Sequence, residues 1–392
     1  MAMITETIFI TVTTLLTWTY IIYPAGVIMA ARLKRSLVKK PLQTAPEGSL
    51  PTVTVIMSLY NEEKVIVNKM NSLLKSDYPA ELIEFVIGSD GSTDRTDLLM
   101  MQMAGSDSRI RFIRNSSRRG KPAMINDLAA VASGEILIVT DANVIFTPAT
   151  VKKLAEQFED PRTGLCDATP QPLITGNAGI TQQEILYSSL ETLLKRGEGD
   201  LWGAMPGPYG GCYAVRRNLF PLLPENILVD DLYAGLSVLK LKFRSFNIPE
   251  ATVFEDTQPD IIVQFRRRTR IAAGSFQNLF HFGPFPSGRI SVSLVFFFHK
   301  IMRWLTPVML TLFFMTTVIL SGRSDFYFCL TALQLIFIFL SALDLALDSK
   351  GKKVRFQRYV TQFLLMNAAL TAGFVKAVRG IDNGIWEPTK RV

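Results

Sequence analysis

The sequence predicts an α/β domain with a mostly parallel sheet, set between apolar helices at the N- and C-terminal ends of the chain. Three observations lead there. Short β-branched runs alternate with helical segments between residues 51 and 140, the pattern of a parallel sheet covered on both faces. The loops after those runs carry acids, and in such sheets ligands bind outside the carboxyl ends of the strands. Long uncharged runs, 7–31, 304–322, 326–343 and 359–375, lie on either side of this region.

Taken in order, residues 51–57 (Pro-Thr-Val-Thr-Val-Ile-Met) form a β-branched run that ends near turn-prone Asn61 and predicts a buried strand. A helix is expected next. Glu62 and Glu63 sit where a first helical turn accepts negative charge, and Val65, Ile66 and Met70 recur at helical spacing. Residues 83–88 predict a second strand, followed by the loop 90–94 and a helix start. Residues 111–113 and 135–140 repeat the pattern, and there is no internal repeat or low-complexity tract.

A chain of 392 residues with 48% apolar side chains excludes a disordered protein and a disulfide scaffold. Cys166, Cys212 and Cys329 are odd in number, far apart and without metal-type pairing, so they read as reduced thiols. The formal charge of +8 accompanies a positive mean hydropathy, which points to anionic lipid as the neighbour and away from nucleic acid.

A spanning helix needs about 20 apolar residues to cross a core of about 30 Å, and runs 7–31 and 304–322 are long enough. No basic residue precedes the first run, so an uncleaved anchor is expected in place of a signal peptide. Arg32, Lys34, Arg35, Lys39 and Lys40 follow it at once, which places the N-terminus outside and the large middle segment in the cytoplasm. Lys300 and Arg303 before the second run, and the basic stretch 350–358 after the third, agree with that orientation. Run 359–375 is short, contains Gln362, Asn367 and Gly373, and has basic residues at both ends; spanning and interfacial placements both remain open for it. The expectation is a multi-pass protein of the cell membrane with a cytoplasmic catalytic domain.

Three acidic loops would share one edge of the sheet: Asn61-Glu62-Glu63, Asp90-Gly91-Ser92-Thr93-Asp94 and Asp141-Ala142-Asn143. Each alone reads equally well as a cap or an Asx turn. Together with Ser58-Leu59-Tyr60-Asn61-Glu62, Arg119-Gly120-Lys121, Gly210-Gly211-Cys212, Asp230-Asp231 and the segment 264–270, they form an ordered set over residues 50–285. In that order and spacing the chain resembles the family 2 glycosyltransferases, the large inverting group that includes cellulose, hyaluronan and poly-N-acetylglucosamine synthases.

The resemblance implies a GT-A-type nucleotide-sugar-binding domain and a role for each motif. Asp90 matches the position that accepts a hydrogen bond from the uracil ring, with Tyr60 packed beside it and Glu62 on the same donor loop. Lys121 matches a position near the base and diphosphate, whereas Arg119 reads as a solvated charge. Asp141 and Asn143 match the family's Asp-X-Asp, which implies Mg or Mn held with the donor diphosphate; Asn143 departs from the second acid, and a neutral amide binds metal less strongly. Gln264 and Arg267 match Gln-X-X-Arg-Trp, with Arg268 where the Trp would be, and Arg266, Arg268 and Arg270 read equally well as contacts to lipid phosphate. Gly211, Cys212 and Asp230 are expected at the acceptor, and Asp231 as the general base. Trp386, Lys390 and Arg391 resemble the terminal residues of several membrane members. His281 and His299 read as structural, among apolar and aromatic neighbours and without a metal-type partner.

The expected division is therefore an anchor and basic flank at 1–40, a cytoplasmic glycosyltransferase domain at 41–261, interfacial amphipathic helices at 262–303 and a membrane region at 304–392. The expected activity is inverting, metal-dependent transfer from a UDP-sugar to a glycan or lipid acceptor, with membrane lipid as a neighbour and the oligomeric state open. The competing class is a nucleotide-sugar-binding subunit that regulates a synthase, and the pair Asp230-Asp231, a candidate base, favours the enzyme.

Overall fold

A computed structural model of the chain describes residues 2–37, 50–173, 180–255, 261–284, 286–348 and 355–385. At the N-terminus α1 (Ala2–Thr17) and α2 (Tyr23–Leu37) join through a π-helical turn at Trp18–Ile22. The joined rod, Met3–Leu37, is long and apolar enough to cross a membrane.

The domain then alternates: β1 (Val53–Leu59), α3 (Ile66–Leu74), β2 (Ile83–Asp90), α4 (Thr96–Ser106), β3 (Ile110–Asn115), α5 (Lys121–Val131) and β4 (Ile136–Thr140). These four strands are the ones the β-branched runs predict, and they pair in parallel in the order β3-β2-β1-β4. β1, β2 and β4 are nearly continuous in apolar residues because helices cover both faces, with one core cluster on each side, whereas β3 at the edge carries Arg111 and Arg114. One local expectation fails. The first helix starts at Ile66, so Glu62 and Glu63 precede it in a turn that Asn61 opens at φ +55.

Beyond β4 the sheet is mixed. β5 (Val144–Phe146), α6 (Thr150–Ala155), β6 (Thr163–Pro172), α7 (Ile180–Trp202), β7 (Cys212–Arg216), α8 (Asp230–Lys240) and β8 (Arg244–Glu255) complete eight strands in the order β3-β2-β1-β4-β7-β6-β8-β5. β7 runs antiparallel to β4, pairing Thr140 with Cys212, and β5 runs antiparallel to β8, pairing Val144 with Glu255. These two pairings bring the start of β7 and the end of β8 to the carboxyl end of β4, where the acidic loops already converge.

After β8 come α9 (Ile261–Phe282), α10 (Ile290–Val295), a π-helical turn at Phe296–Ile301, α11 (Met302–Trp304), α12 (Thr306–Leu320), α13 (Asp325–Asp348) and α14 (Arg355–Arg379). The predicted run 304–322 breaks at Leu305. α12 has only 15 residues, about 22 Å at 1.5 Å per residue, and reaches a spanning length only with the helix 290–304, bent from it by 57°. α13 and α14 each pass the length and apolarity test for a span.

α14 lies along α9 in parallel: Gln362 and Met366 share a small cavity with Gln264 and Phe265, and further on the rings of Phe374 and Phe276 meet at 5.1 Å. Gly373 permits the closest approach, since a Cβ there would stand 2.4 Å from that of Ala272. After α14 the chain returns to the domain, where Asn226 Nδ2 donates to Ile381 O at 2.9 Å.

Candidate active site

The first two acidic loops latch onto each other before they offer anything to a ligand. Asn61 Oδ1 accepts from Thr93 N at 2.8 Å, Thr96 Oγ1 accepts from Glu62 N at 2.8 Å, and Glu63 Oε2 accepts from Arg95 N at 3.1 Å. Behind them Asp90 is buried and accepts two backbone donors, Arg119 N at 2.8 Å and Gly120 N at 2.7 Å. Its carboxylate thus fixes the loop that leads into α5. Tyr60 sits beside it with the Arg118 guanidinium 3.7 Å from the ring centroid, a stacked cation that sequence reasoning missed. Arg119 carries ion pairs to Asp127 at 2.8 Å and Glu225 at 3.0 Å, so it is paired at the surface and turned away from the cleft.

Lys121, the first residue of α5, is the centre. Its Nζ lies 2.9 Å from Asp141 Oδ1 and 3.5 Å from Asp230 Oδ2. Burial opposes the charge, but Asp141, Asp230 and Asp231 outweigh it and hold the ammonium above the ordinary lysine value. The Asp141 side chain remains 40% exposed at the mouth. A carboxylate at that mouth and the Asn143 amide two residues on fit a hard divalent cation that takes its other ligands from a substrate. The Asn143 Nδ2 is turned to Glu255 Oε1 at 3.3 Å, and its oxygen is the end such a cation would use.

The turn between β4 and β5 is held from behind by Lys69, a fully buried ammonium that sequence reasoning also missed. Its Nζ donates to Thr140 Oγ1 at 2.9 Å and to Val144 O, and lies 3.9 Å from the Phe146 ring centroid. Thr140 Oγ1 in turn donates to Gly211 O at 2.8 Å, so one lysine ties the Asp141 turn to the glycine loop. Burial pushes the Lys69 ammonium down to about 7. The available signal was a lone cation on the apolar face of Ile66, Met70 and Leu73.

On the acceptor side Asp230 and Asp231 open α8. A Cβ at Gly210 would meet Asp231 Oδ2 at 2.7 Å, so the glycine is what lets that carboxylate lie over the loop. Asp231 is pushed up to about 6, first by burial and then by the charge of Asp230, against the pull of Lys121. Cys212 departs from its expected role. Its side chain is fully buried in the core and burial pushes the thiol up to about 12, so only its backbone borders the cleft. Tyr209, unpredicted, anchors the same loop: its N donates to buried Asp167 at 2.6 Å and its hydroxyl to Glu255 Oε2 at 2.6 Å.

α9 brings Gln264, Arg267 and Arg270 to one stripe, three residues apart. Arg267 reaches Glu255 Oε1 at 3.6 Å. Arg270, which the sequence left equally open to lipid, is drawn inward: burial lowers it, while the charges of Asp230, Asp141 and Asp231 favour its guanidinium form. His299 is structural as expected, but its neighbours are charged and not only apolar and aromatic. It is buried between two carboxylates, Glu198 at 2.8 Å from Nδ1 and Glu191 at 2.9 Å from Nε2. Lys300 and Arg303 also bind Glu191, and Tyr23 of α2 donates to Glu198 at 2.8 Å. Among the described residues no group of three or more His, Cys, Asp or Glu could hold a metal alone. Trp386, Lys390 and Arg391 lie outside the described residues.

A half-parallel, half-mixed sheet with an Asp-X-Asn turn at its switch point, a lysine over it and a buried acid across the cleft defines a GT-A-type glycosyltransferase domain. Residues 54–221 match the family described as glycosyl transferase family 2, and the chain carries a domain of that family. It is similar to an N-acetylglucosaminyltransferase of Rhizobium meliloti (24% identical over 258 residues, 62% of this chain and 60% of the relative). It is also similar to a poly-beta-1,6-N-acetyl-D-glucosamine synthase of Staphylococcus epidermidis (23% over 382 residues, 89% of this chain and 88% of the relative). The chain spans about three fifths of the length of the first of these. Among solved structures, a mannosyltransferase of Pyrobaculum calidifontis in complex with GDP-Man and Mn2+ shares the fold, with a TM-score of 0.71 at 22% identity over 95% of this chain and 99% of that one.

Proposed function

We propose that the protein is an inverting, metal-dependent glycosyltransferase that moves a sugar from a UDP-sugar to a glycan or lipid acceptor at the cytoplasmic face of the membrane. The observation that carries this reading is the pairing across the cleft: Lys121 on Asp141 at 2.9 Å on one side, and Asp231, pushed up to about 6 over Gly210, on the other. The first group suits a diphosphate leaving group and the second suits a base. An acceptor hydroxyl attacks the anomeric carbon, the bond from that carbon to the diphosphate oxygen breaks on the opposite face, and Asp231 takes the hydroxyl proton. Lys121, Arg267 and Arg270 lie where the charge of the departing diphosphate would collect. Asp141 and Asn143 would hold Mg or Mn, which supplies electrostatic stabilisation of that same charge.

Tyr60, Glu62 and Asp90 are the base-side residues in this reading, and Gln264 belongs to the diphosphate side. Asp230, with an Oδ2 that makes no hydrogen bond among the described residues and faces Lys121, and the Gly211 backbone border the acceptor. An interfacial placement of α14 is supported by its two ends: with N-out α1–α2 and a hairpin of α12 and α13 it would start on the domain's side, and its chain returns to the domain at Ile381 after running beside α9. The experiment is to incubate the purified full chain with a panel of UDP- and GDP-sugars and Mg or Mn, and to measure nucleoside diphosphate release and product length. Release with UDP-sugars and an added acceptor supports the reading; none with any sugar and either metal rejects it in favour of a binding subunit.

A further inference from the structure

The turn Asp141-Ala142-Asn143 offers a divalent cation one carboxylate, and that carboxylate already shares its charge with Lys121 at 2.9 Å. Hard divalent cations take charged oxygen ligands, and fewer charges mean weaker binding. A second acid close to Asn143 would restore the balance.

Glu255 is that close. It is the last residue of β8 and pairs in register with Val144, the residue after Asn143. Its Oε1 stands 3.3 Å from Asn143 Nδ2, and its Oε2 accepts the Tyr209 hydroxyl at 2.6 Å, which fixes the direction of the carboxylate as an outer partner fixes a ligand. The side chain is 22% exposed, so it borders the cleft and is not sealed in the core. Burial first, then Glu255, then Asp141 raise the Tyr209 phenol, so one hydroxyl feels both acids.

We infer that Glu255 supplies the second carboxylate of the divalent-cation site, in place of the acid that stands as Asn143. This rests on the metal-dependent reading above. The charge arrangement is consistent with it: each acid has a cation on it, Lys121 on Asp141 and Arg267 at 3.6 Å from Glu255. Those are the two cations best placed for a diphosphate. Arrival of donor and cation together lets the acids exchange a protein cation for a metal, and lets lysine and arginine exchange a carboxylate for phosphate oxygen, with no charge left unpaired.

The competing account makes Glu255 a bracket that only holds Tyr209, Asn143 and Arg267. The two accounts disagree on Asn143→Asp. As a bracket, Glu255 would be repelled by a second acid at that distance; as a ligand, it could be replaced by one. Mn(II) binding to the full chain in detergent, with UDP present and again with GDP, is read by the loss of free Mn(II) paramagnetic signal, for the native chain, Asn143→Asp, Glu255→Gln, Asn143→Asp/Glu255→Gln and Asp141→Asn; Asn143→Asp alone should bind at least as tightly as the native chain if Glu255 is a ligand. Glu255→Gln is expected to weaken Mn(II) by more than the ~10- to 100-fold that loss of a merely orienting partner costs, and the double variant to regain most of it. Glu255→Asp, which keeps the charge and withdraws it by a methylene, serves if the Gln variant does not fold and should bind more weakly than the native chain. Native-like Mn(II) binding by Glu255→Gln or Glu255→Asp, or a double variant no better than the single, overturns the assignment alone. If the native chain takes up no Mn(II) with either nucleotide and Asp141→Asn is no different, the metal reading itself falls and takes this inference with it.

Discussion

On the β1, β2 and β4 side of the cleft Tyr60, Asp90 and Asp141 sit at or just past the carboxyl end of their own strand, with Lys121 at the start of the helix that follows β3. On the β7 and β8 side the working groups meet only through long-range contacts: Tyr209 with Glu255, Glu255 with Arg267, Gly210 beneath Asp231. The first side is a property of parallel βα units, whose loops fall together at the carboxyl edge of the sheet and latch onto their neighbours there. The second depends on two antiparallel pairings and on a helix that also touches α14, so a change in it should spread.

The sharpest test of the first side is Asp141→Ala, which removes the carboxylate from both Lys121 and the cation. Transfer should fall to background, and excess chelator should do the same to the native protein; full turnover in chelator would end the metal claim. On the second side Asp231→Asn keeps the shape and removes the base, and loss of such help typically costs ~10²- to 10⁴-fold in rate while donor affinity survives. Because Asp231 is raised to about 6 and must be deprotonated to act, native kcat/KM should climb as pH rises through about 6 and level above it. A profile flat from about pH 5 to about pH 8, or equal loss of donor affinity in the Asn variant, would move the base elsewhere.

How far the sequence reaches follows the same division. The runs 51–57, 83–88, 111–113 and 135–140 all became strands, and their loops hold Asp90, Lys121 and Asp141 together. β6, β7 and β8 carried no comparable signal. Thr163–Pro172 and Arg244–Glu255 contain prolines and polar residues because they lie where the sheet is mixed and shifts register, so neither periodicity nor an apolar run marks them. In the sequence Glu255 stands as one acid shortly before a basic helix and Arg270 as one arginine among several. Helical phase does not single out Arg270 either, since at 3.6 residues per turn it lies about 120° round the helix from Gln264, farther than Arg268 at about 40°. For His299 no local pattern exists: its two carboxylates lie on α7, about a hundred residues earlier in the chain.

Lys69 belongs to neither side and joins them, so its replacement measures how much each depends on the other. Lys69→Met keeps the volume and removes the ammonium, leaving Thr140 Oγ1 and Val144 O without their donor. Loss of a partner that orients a ligand typically costs ~10- to 100-fold in affinity or activity, and the expected split is a raised metal and donor requirement with the general-base limb of the pH profile unmoved. A native metal requirement in Lys69→Met would make the lysine a core residue and nothing more.

The smallest effect on transfer is expected furthest from the cleft, at the clamp that joins α2 and α7 to the turn before α12. Glu191 receives His299 at 2.9 Å, Lys300 at 2.9 Å and Arg303 at 2.6 Å. Burial works against its charge, yet those three cations hold its carboxyl well below the ordinary glutamate range. Glu191→Gln leaves the cations without their counter-charge in a buried place, and breaking such a pair from one side costs about 3–5 kcal/mol. The loss should therefore appear as a lower thermal midpoint in detergent, while the rate per folded molecule stays near native because no cleft residue is removed. The sign of the pH effect is fixed too. A depressed carboxyl contributes stability above its unfolded value and loses it only as pH falls through the folded one, so the native clamp should hold throughout the neutral range and fail in strong acid. A Glu191→Gln protein with a native midpoint but slow transfer would reverse the assignment: the clamp would then act on the acceptor loop through Lys300, which stands beside Gly207, and the second side of the cleft would extend to the membrane.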